Sequence, residues 1–142
     1  DQRETMYNRI CEYRSTKPIF TIDFQNDAKF VNGCIAGGRN YLHINANGDI
    51  EPCAFIHHSD SNIREKTLLE AYQSPLFMAY HDGQPFPDNM FQPCPMLENP
   101  ECLRSMVKKS GAHSTEYQSP ESVDHLCDKT TLYAETWKPK AD

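Results

Sequence analysis

The chain has 142 residues, a formal net charge of −6 and a mean hydropathy of −0.72, with ten prolines and six cysteines. This length suits one domain with a modest core, and the acidic balance argues against a nucleic-acid or anionic-membrane surface. No apolar run approaches the length of a membrane span and no signal peptide opens the chain, so we expect a cytoplasmic protein. Without an export signal, metal-binding or core roles for the six cysteines rank above three disulfides.

The first predicted unit is a helix followed by a strand. Met6, Ile10 and Tyr13 recur at helical spacing and predict a helix over residues 4–14. Residues 18–24 are rich in β-branched and aromatic side chains without strict alternation, which is typical of a strand covered on both faces. A helix followed by such a strand is half of a βαβ unit and is not expected to be stable alone.

A β-hairpin is predicted between Cys34 and Cys53. Residues 41–45 alternate in the manner of a strand, and Asn47-Gly48 is the dipeptide that a two-residue turn with positive φ at both positions prefers. Thirteen residues separate Cys34 from Gly48, and four separate Gly48 from Cys53. Folding the hairpin would bring its ends together, so we expect the two thiols to share one site.

Short helices are predicted after the hairpin, each with a capping residue at its start. Residues 83–95 contain four prolines and are predicted to form an extended loop between two of these helices. Gly111 is expected to end one helix, and residues 138–140 to end the last. The predicted N-terminal caps are Thr67 with Glu70, Ser74, Asn99 and Ser119.

The cysteines are the candidate ligands, because thiolates are soft donors that suit iron–sulfur clusters and zinc. Cys34 and Cys53 could bind metal, with buried apolar thiols or a disulfide as the alternative. Cys94 lies in the proline-rich loop, off any amphipathic face, which favours a ligand. Cys102 falls in the first turn of a helix, where the dipole favours a thiolate. It also lies four residues before Met106, so a place on the packing stripe stays open.

The remaining cysteines and the histidines are predicted to be structural. Cys11 and Cys127 fall on apolar helix stripes and are interpreted as core thiols. His43 is placed on the polar side of the hairpin. No two-ligand helical spacing links the other histidines, and no catalytic set is visible. Surface positions are therefore predicted for His57, His58, His81, His113 and His125.

The spacing of Cys34, Gly48 and Cys53 resembles the opening half of the cysteine motif in auxiliary-cluster (SPASM or twitch) domains of radical S-adenosylmethionine enzymes. Residues 55–76 resemble the segment that follows the hairpin in that family, and Pro93-Cys94-Pro95 resembles its later cysteine segment. The resemblance covers roughly residues 18–110. It is specific at the first two cysteines and looser afterwards.

The resemblance implies an α+β fold, in which a hairpin and short helices surround a cysteine-ligated metal site. Residues 1–27 would be the last helix–strand unit of a (βα) partial barrel, residues 28–112 the auxiliary-cluster domain and residues 113–142 a helical tail. The chain begins at Asp1, and we expect a fragment of a longer enzyme.

The implied cofactor is one [4Fe–4S] cluster, whose ligands would be Cys34, Cys53, Cys94 and Cys102. The fourth ligand stays open between Cys102, Cys127, the His57/His58 pair and an iron that coordinates substrate. The family's later cysteines come as a tight run, and this chain has too few for a second auxiliary cluster.

The implied partner is a radical-SAM barrel from the same enzyme, which would hold S-adenosylmethionine and a second [4Fe–4S] cluster. The three-cysteine loop that binds that cluster does not occur here, so the chain would not perform radical chemistry alone. The auxiliary cluster would aid substrate binding or electron transfer, and a peptide or protein is a possible substrate.

A structural zinc module is the alternative function. Cys34, Cys53, Cys94 and Cys102 would then form a tetrahedral all-thiolate site in an interaction domain. The absence of close CxxC pairs counts against it, because zinc ribbons usually draw their ligands from such pairs.

Overall fold

A computed structural model describes residues 1–24 and 26–142 and gives a mixed α+β fold built from short elements. Gln25, which lies inside the predicted first unit, is outside the described residues. The helices within these ranges are α1 (Gln2–Thr16), α2 (Ala28–Val31), α3 (Leu68–Tyr72), α4 (Pro75–Asp82), α5 (Pro100–Ser110) and α6 (Val123–Ala141). The strands are β1 (His43–Ile44), β2 (Ile50–Glu51), β3 (His58–Ser59) and β4 (His113–Ser114). No helix in the described ranges is long and apolar enough to cross a membrane.

The N-terminal helix is confirmed as α1, whereas the strand predicted after it is wrong. Residues 18–24 form no strand, and their apolar side chains face solvent: Phe20 is 88% exposed and Ile19 is 60% exposed. A strand covered on both faces needs neighbouring strands that supply hydrogen bonds and packing. The described residues contain no such neighbour for this segment.

The hairpin is confirmed, with a different turn from the one predicted. Strands β1 and β2 pair antiparallel, with Ile44 opposite Ile50. The Gly48 amide donates to the Asn45 carbonyl at 3.0 Å, and the Asn45 side-chain oxygen accepts from the Asn47 and Asp49 amides. Gly48 has positive φ (90°), whereas Asn47 does not. The loop is therefore a longer one that needs a left-handed residue at Gly48 alone.

The capping residues define most of the later helices as predicted. Thr67 and Glu70 form a complete capping box on α3, and the Ser74 hydroxyl accepts from the Phe77 amide at the start of α4. Gly111 ends α5 with φ of 71°.

The limits of the last helix differ from the prediction at both ends. Ser122 caps α6 instead of Ser119, and its hydroxyl accepts from the His125 amide. The helix also continues through Pro139 to Ala141. Pro139 removes one intrahelical donor without ending the helix, and it lies in the final turn.

A second antiparallel pair joins β3 to β4 and corrects the prediction for His58. His58 lies opposite Ser114 and is buried, although a surface position was predicted for it. The covering strand comes from more than fifty residues later in the chain, so no local pattern could indicate this burial.

The main core is built by α4, α5 and α6 packing against the ends of the hairpin. Its buried members include apolar residues of all three helices together with three thiols, and a smaller cluster of Ile50, Ala71 and Phe77 supports the hairpin. The main cluster comprises Cys34, Ala36, Cys53, Ile56, Leu76, Tyr80, Leu103, Met106, Val107, Val123, Leu126 and Cys127.

Candidate metal centre

Cys34 and Cys53 lie at the two ends of the hairpin and belong to one core cluster. The Gly37 amide donates to the Pro52 carbonyl at 2.9 Å and so ties the two ends together. Gln84, from the proline-rich loop, accepts from the Cys34 amide at 2.9 Å, and its amide nitrogen donates to the Cys34 carbonyl at 3.4 Å. The backbone around the first thiol is therefore fixed by a distant loop.

The backbone of the proline-rich loop wraps around the sulfur of Cys94. The Leu97 amide donates to the Cys94 sulfur at 3.4 Å, and the Cys94 amide donates to the Glu98 carboxylate at 2.8 Å. Glu98 is itself 7% exposed and pairs with Arg3 at 3.3 Å. These contacts fix the backbone on both sides of the Cys94 sulfur.

The three thiols share one electrostatic environment. Burial raises the pKa of each, to about 11 for Cys34 and about 12 for Cys94, and Cys53 shifts in the same direction. Cys53 further raises the pKa of Cys34, and Cys34 that of Cys94, because ionising one thiol opposes ionising the next. A cationic centre is what would allow all three to become thiolates together.

Backbone amides near each of these thiols oppose this effect. They lower the pKa of the thiol, because an N–H group close to the sulfur stabilises the thiolate form. The Leu97 amide, which donates to the Cys94 sulfur, has the largest such influence on Cys94, and the amides of Ala36 and Phe55 act on Cys34 and Cys53.

Two tyrosine hydroxyls adjoin the thiols. The Tyr41 hydroxyl donates to the Cys53 sulfur at 2.7 Å. The Tyr80 hydroxyl is fully buried and has no hydrogen-bond partner among the described residues. Burial raises the pKa of Tyr80 well above its usual value, and Cys34, Cys53 and Cys94 raise it further. A buried hydroxyl without an acceptor, beside three thiols, fits a site completed by a non-protein group.

The other three cysteines lie elsewhere. Cys102 is partly buried in the first turn of α5, where burial and then the Glu101 carboxylate raise its pKa. Cys127 is fully buried and its thiol donates to the Pro100 carbonyl at 3.2 Å, which confirms it as a core thiol. The core role predicted for Cys11 is wrong: this thiol is half-buried, and no residue of α1 (2–16) is buried.

Cys34 and Cys53 thus share one buried cluster with Tyr80, and Cys94 raises the pKa of Tyr80 as well. As metal ligands, Cys34, Cys53, Cys94 and Cys102 all stay predictions. Within the described part of the chain, no three His, Cys, Asp or Glu side chains are arranged to hold a metal ion. A four-iron cluster binds each thiolate through a different iron, so its ligands are spaced more widely than those that share one ion.

His57 and His58, the alternative fourth ligands, have different surroundings. Burial lowers the pKa of His58, whose Nδ1 has no hydrogen-bond partner within the described ranges. His57 Nδ1 lies 3.7 Å from the carboxylate of Glu51, and His43 Nδ1 lies 2.7 Å from the same group. Glu51 is fully buried and also accepts from the Thr115 hydroxyl.

Sequence reasoning missed Glu51 and both tyrosines as parts of this region. Tyr80 follows Leu76 by four residues on one face of α4, and that spacing could have placed it in the core. Its proximity to the thiols depends on the packing of α4 against the hairpin. The burial of Glu51 depends on Thr115, which is distant in sequence.

Comparison with protein families identifies the segment that carries this geometry. Residues 34–103, about half of the chain, match the family model of SPASM, an iron–sulfur cluster-binding domain. This segment belongs to the SPASM family. The match begins at Cys34 and ends in α5, so it contains Cys53, Cys94, Cys102 and Tyr80.

SPASM domains bind iron–sulfur clusters and are typical of radical SAM enzymes. The resemblance drawn from the cysteine spacing is therefore confirmed. Neither the curated proteins nor the solved structures contain a match to the chain.

Proposed function

We propose that the SPASM segment binds one auxiliary [4Fe–4S] cluster through Cys34, Cys53 and Cys94, with Cys102 as the fourth ligand. The observation that carries this proposal is one buried cluster that holds Cys34, Cys53 and Tyr80, whose hydroxyl has no hydrogen-bond partner among the described residues. The Cys34 thiol also raises the pKa of the partly buried Cys94, which brings the third thiol into the same environment. Four thiolates are the usual ligand set of such a cluster.

The protein contributes fixed ligand positions and a dry environment. Gln84 holds the backbone of Cys34, Glu98 holds that of Cys94, and Tyr41 donates to the Cys53 sulfur. When bound, the cluster would supply one-electron redox chemistry or an iron site for substrate. Burial of Cys34 and Cys53 favours slow exchange with solvent, as expected for a cluster kept in a protein interior.

Anaerobic reconstitution with iron and sulfide tests the proposal. Cys34→Ala, Cys53→Ala and Cys94→Ala should each abolish uptake of four irons per chain, read by metal analysis and visible absorbance. Cys127→Ala is the matched control, because its thiol is buried but bonded to Pro100, and it should load normally. If it loses the cluster, or Cys34→Ala retains it, the ligand assignment fails.

The fourth ligand can be assigned with the same assay. Cys102→Ala should leave a cluster of altered stoichiometry or an iron with an exchangeable ligand, visible by electron paramagnetic resonance. An unchanged spectrum would exclude Cys102 as a ligand. Colourless protein with stoichiometric zinc after anaerobic loading would support the four-cysteine zinc module instead.

We also propose that this chain acts beside the barrel of a radical SAM enzyme, where its cluster would aid substrate binding or electron transfer. Support comes from residues 18–24, whose exposed Ile19, Phe20 and Ile22 form an apolar ribbon. A barrel strand from the same enzyme is the expected partner. Hydrogen exchange at these amides should slow in the full enzyme relative to this chain, and equal exchange rates would refute the contact.

A further inference from the structure

Tyr80 is held rigidly within the buried cluster that also contains Cys34 and Cys53. Its ring packs edge-on against Phe86, with 5.8 Å between ring centroids. Its other side lies against Gly37, where an added Cβ would come within 2.6 Å of the Tyr80 side chain. The side chain is fully buried, so its hydroxyl has no access to bulk water. The orientation of this hydroxyl is therefore set by packing rather than by a hydrogen bond.

An unpartnered buried hydroxyl is costly, since it has lost its bonds to water without gaining others. Tyr80 belongs to the same buried cluster as Cys34 and Cys53, with Tyr41 packed against that cluster, and Cys94 also raises the pKa of Tyr80. Tyr41 already donates to Cys53. The Tyr80 hydroxyl is thus the donor at this site that still lacks an acceptor in the described chain.

We propose that Tyr80 is a positioning residue whose hydroxyl donates a hydrogen bond to the iron–sulfur cluster, at a sulfide or a ligand sulfur, and so raises its reduction potential. This inference rests on the proposed cluster-binding function. A hydrogen bond to sulfur withdraws electron density and stabilises the reduced, more negative state of the cluster, which shifts the potential upward.

The first test is the reduction potential of reconstituted Tyr80→Phe, measured by titration with detection by electron paramagnetic resonance. This change removes the hydroxyl and keeps the ring, so the contacts to Gly37 and Phe86 remain. We expect a shift to more negative potential at full cluster occupancy. Tyr72→Phe is the matched control: its ring packs on Phe77 at 6.0 Å and its side chain is partly exposed. The control should keep the wild-type potential.

The second test compares thermal unfolding with and without the cluster. Without it, Tyr80→Phe should raise the melting temperature, because the change removes a buried polar group that has no partner. With the cluster bound, that gain should vanish or reverse, because the hydroxyl then has an acceptor. A tyrosine with only a packing role would give the same shift in both states.

The outcomes separate this inference from the function on which it rests. Wild-type protein that takes up no cluster would overturn both. Loaded wild-type protein with an unchanged potential in Tyr80→Phe would overturn the inference alone. Should Tyr80→Phe fail to fold or load, a crystal structure of the loaded wild-type protein decides. Tyr80 Oη within hydrogen-bond distance of a cluster or ligand sulfur would support the inference, and a greater separation would refute it.

Discussion

Gly37→Ala should be among the most destabilising single changes in this chain, and Gly111→Ala is its matched control. Both glycines have nearly the same backbone conformation, with φ of 68° and 71° respectively. Their surroundings differ: a Cβ at Gly37 would lie 2.6 Å from the buried ring of Tyr80, whereas one at Gly111 would meet no atom within 4 Å.

The expected magnitudes follow from this difference. A left-handed conformation costs a non-glycine residue about 1–2 kcal/mol, and both variants bear that cost. Overpacking a closed core adds about 1–3 kcal/mol, which applies to Gly37 alone. Gly37→Ala should therefore lower the free energy of unfolding by about 2–5 kcal/mol, and Gly111→Ala by about 1–2 kcal/mol.

Urea unfolding of the two variants, followed by circular dichroism and by the fluorescence of the single tryptophan, Trp137, measures both values. Trp137 is a suitable probe because its indole donates to the Phe91 carbonyl at 2.9 Å and so reports loss of tertiary structure. Equal losses in the two variants would refute the claim that Gly37 and Tyr80 are in tight contact. A larger loss at Gly111 would refute it more strongly.

Three further predictions concern acid stability, the exposed ribbon and a helix cap. Burial alone would raise the pKa of Asp49, but hydrogen bonds from Asn45, Asn62 and Tyr117 lower it overall. The ionised Asp49 therefore contributes to the free energy of unfolding above about pH 4, and this contribution is lost as pH falls through the folded-state pKa. Asp49→Asn should flatten this part of the curve of unfolding free energy against pH, and an unchanged acid limb would contradict the assignment. Phe20→Ser should change the unfolding free energy by less than about 0.5 kcal/mol in urea unfolding, because Phe20 is 88% exposed; a large loss of stability would show that Phe20 is packed. Ser74→Ala should cost about 1 kcal/mol in thermal unfolding by removing the cap of α4, and a neutral result would mean that the 3.4 Å bond to the Phe77 amide contributes little.

Features with a local cause could be predicted from the sequence. The capping box at Thr67, the Ser74 cap and the glycine that ends α5 depend on residues within one helical turn of each other, and all three are present. The hairpin between Cys34 and Cys53 was also predictable, because alternation and a glycine turn are local signals. The spacing of the two cysteines further indicated the family.

Features that depend on residues distant in the chain could not be predicted from the sequence. The burial of His58 depends on β4, and the strand predicted over residues 18–24 would need partners that the described chain does not provide. The contact of the proline-rich loop with Cys34, through Gln84, likewise joins residues fifty positions apart. The sequence therefore indicated the chemistry of the candidate site. The positions of Tyr41, Tyr80 and Glu51 near it became evident only from the structure.

The contact between Glu51 and Thr115 bears on how the chain can be shortened. A protein cut at the end of the SPASM match would lack Thr115 and Tyr117, which bind the carboxylates of Glu51 and Asp49 in the hairpin. It would also lack α6, whose Val123 belongs to the same apolar cluster as Cys34. Glu51 and Asp49 would each lose one hydrogen-bond donor, and the apolar cluster would lose one of its helices. We therefore expect the smallest piece able to fold around a cluster to extend well beyond the residues that define the family.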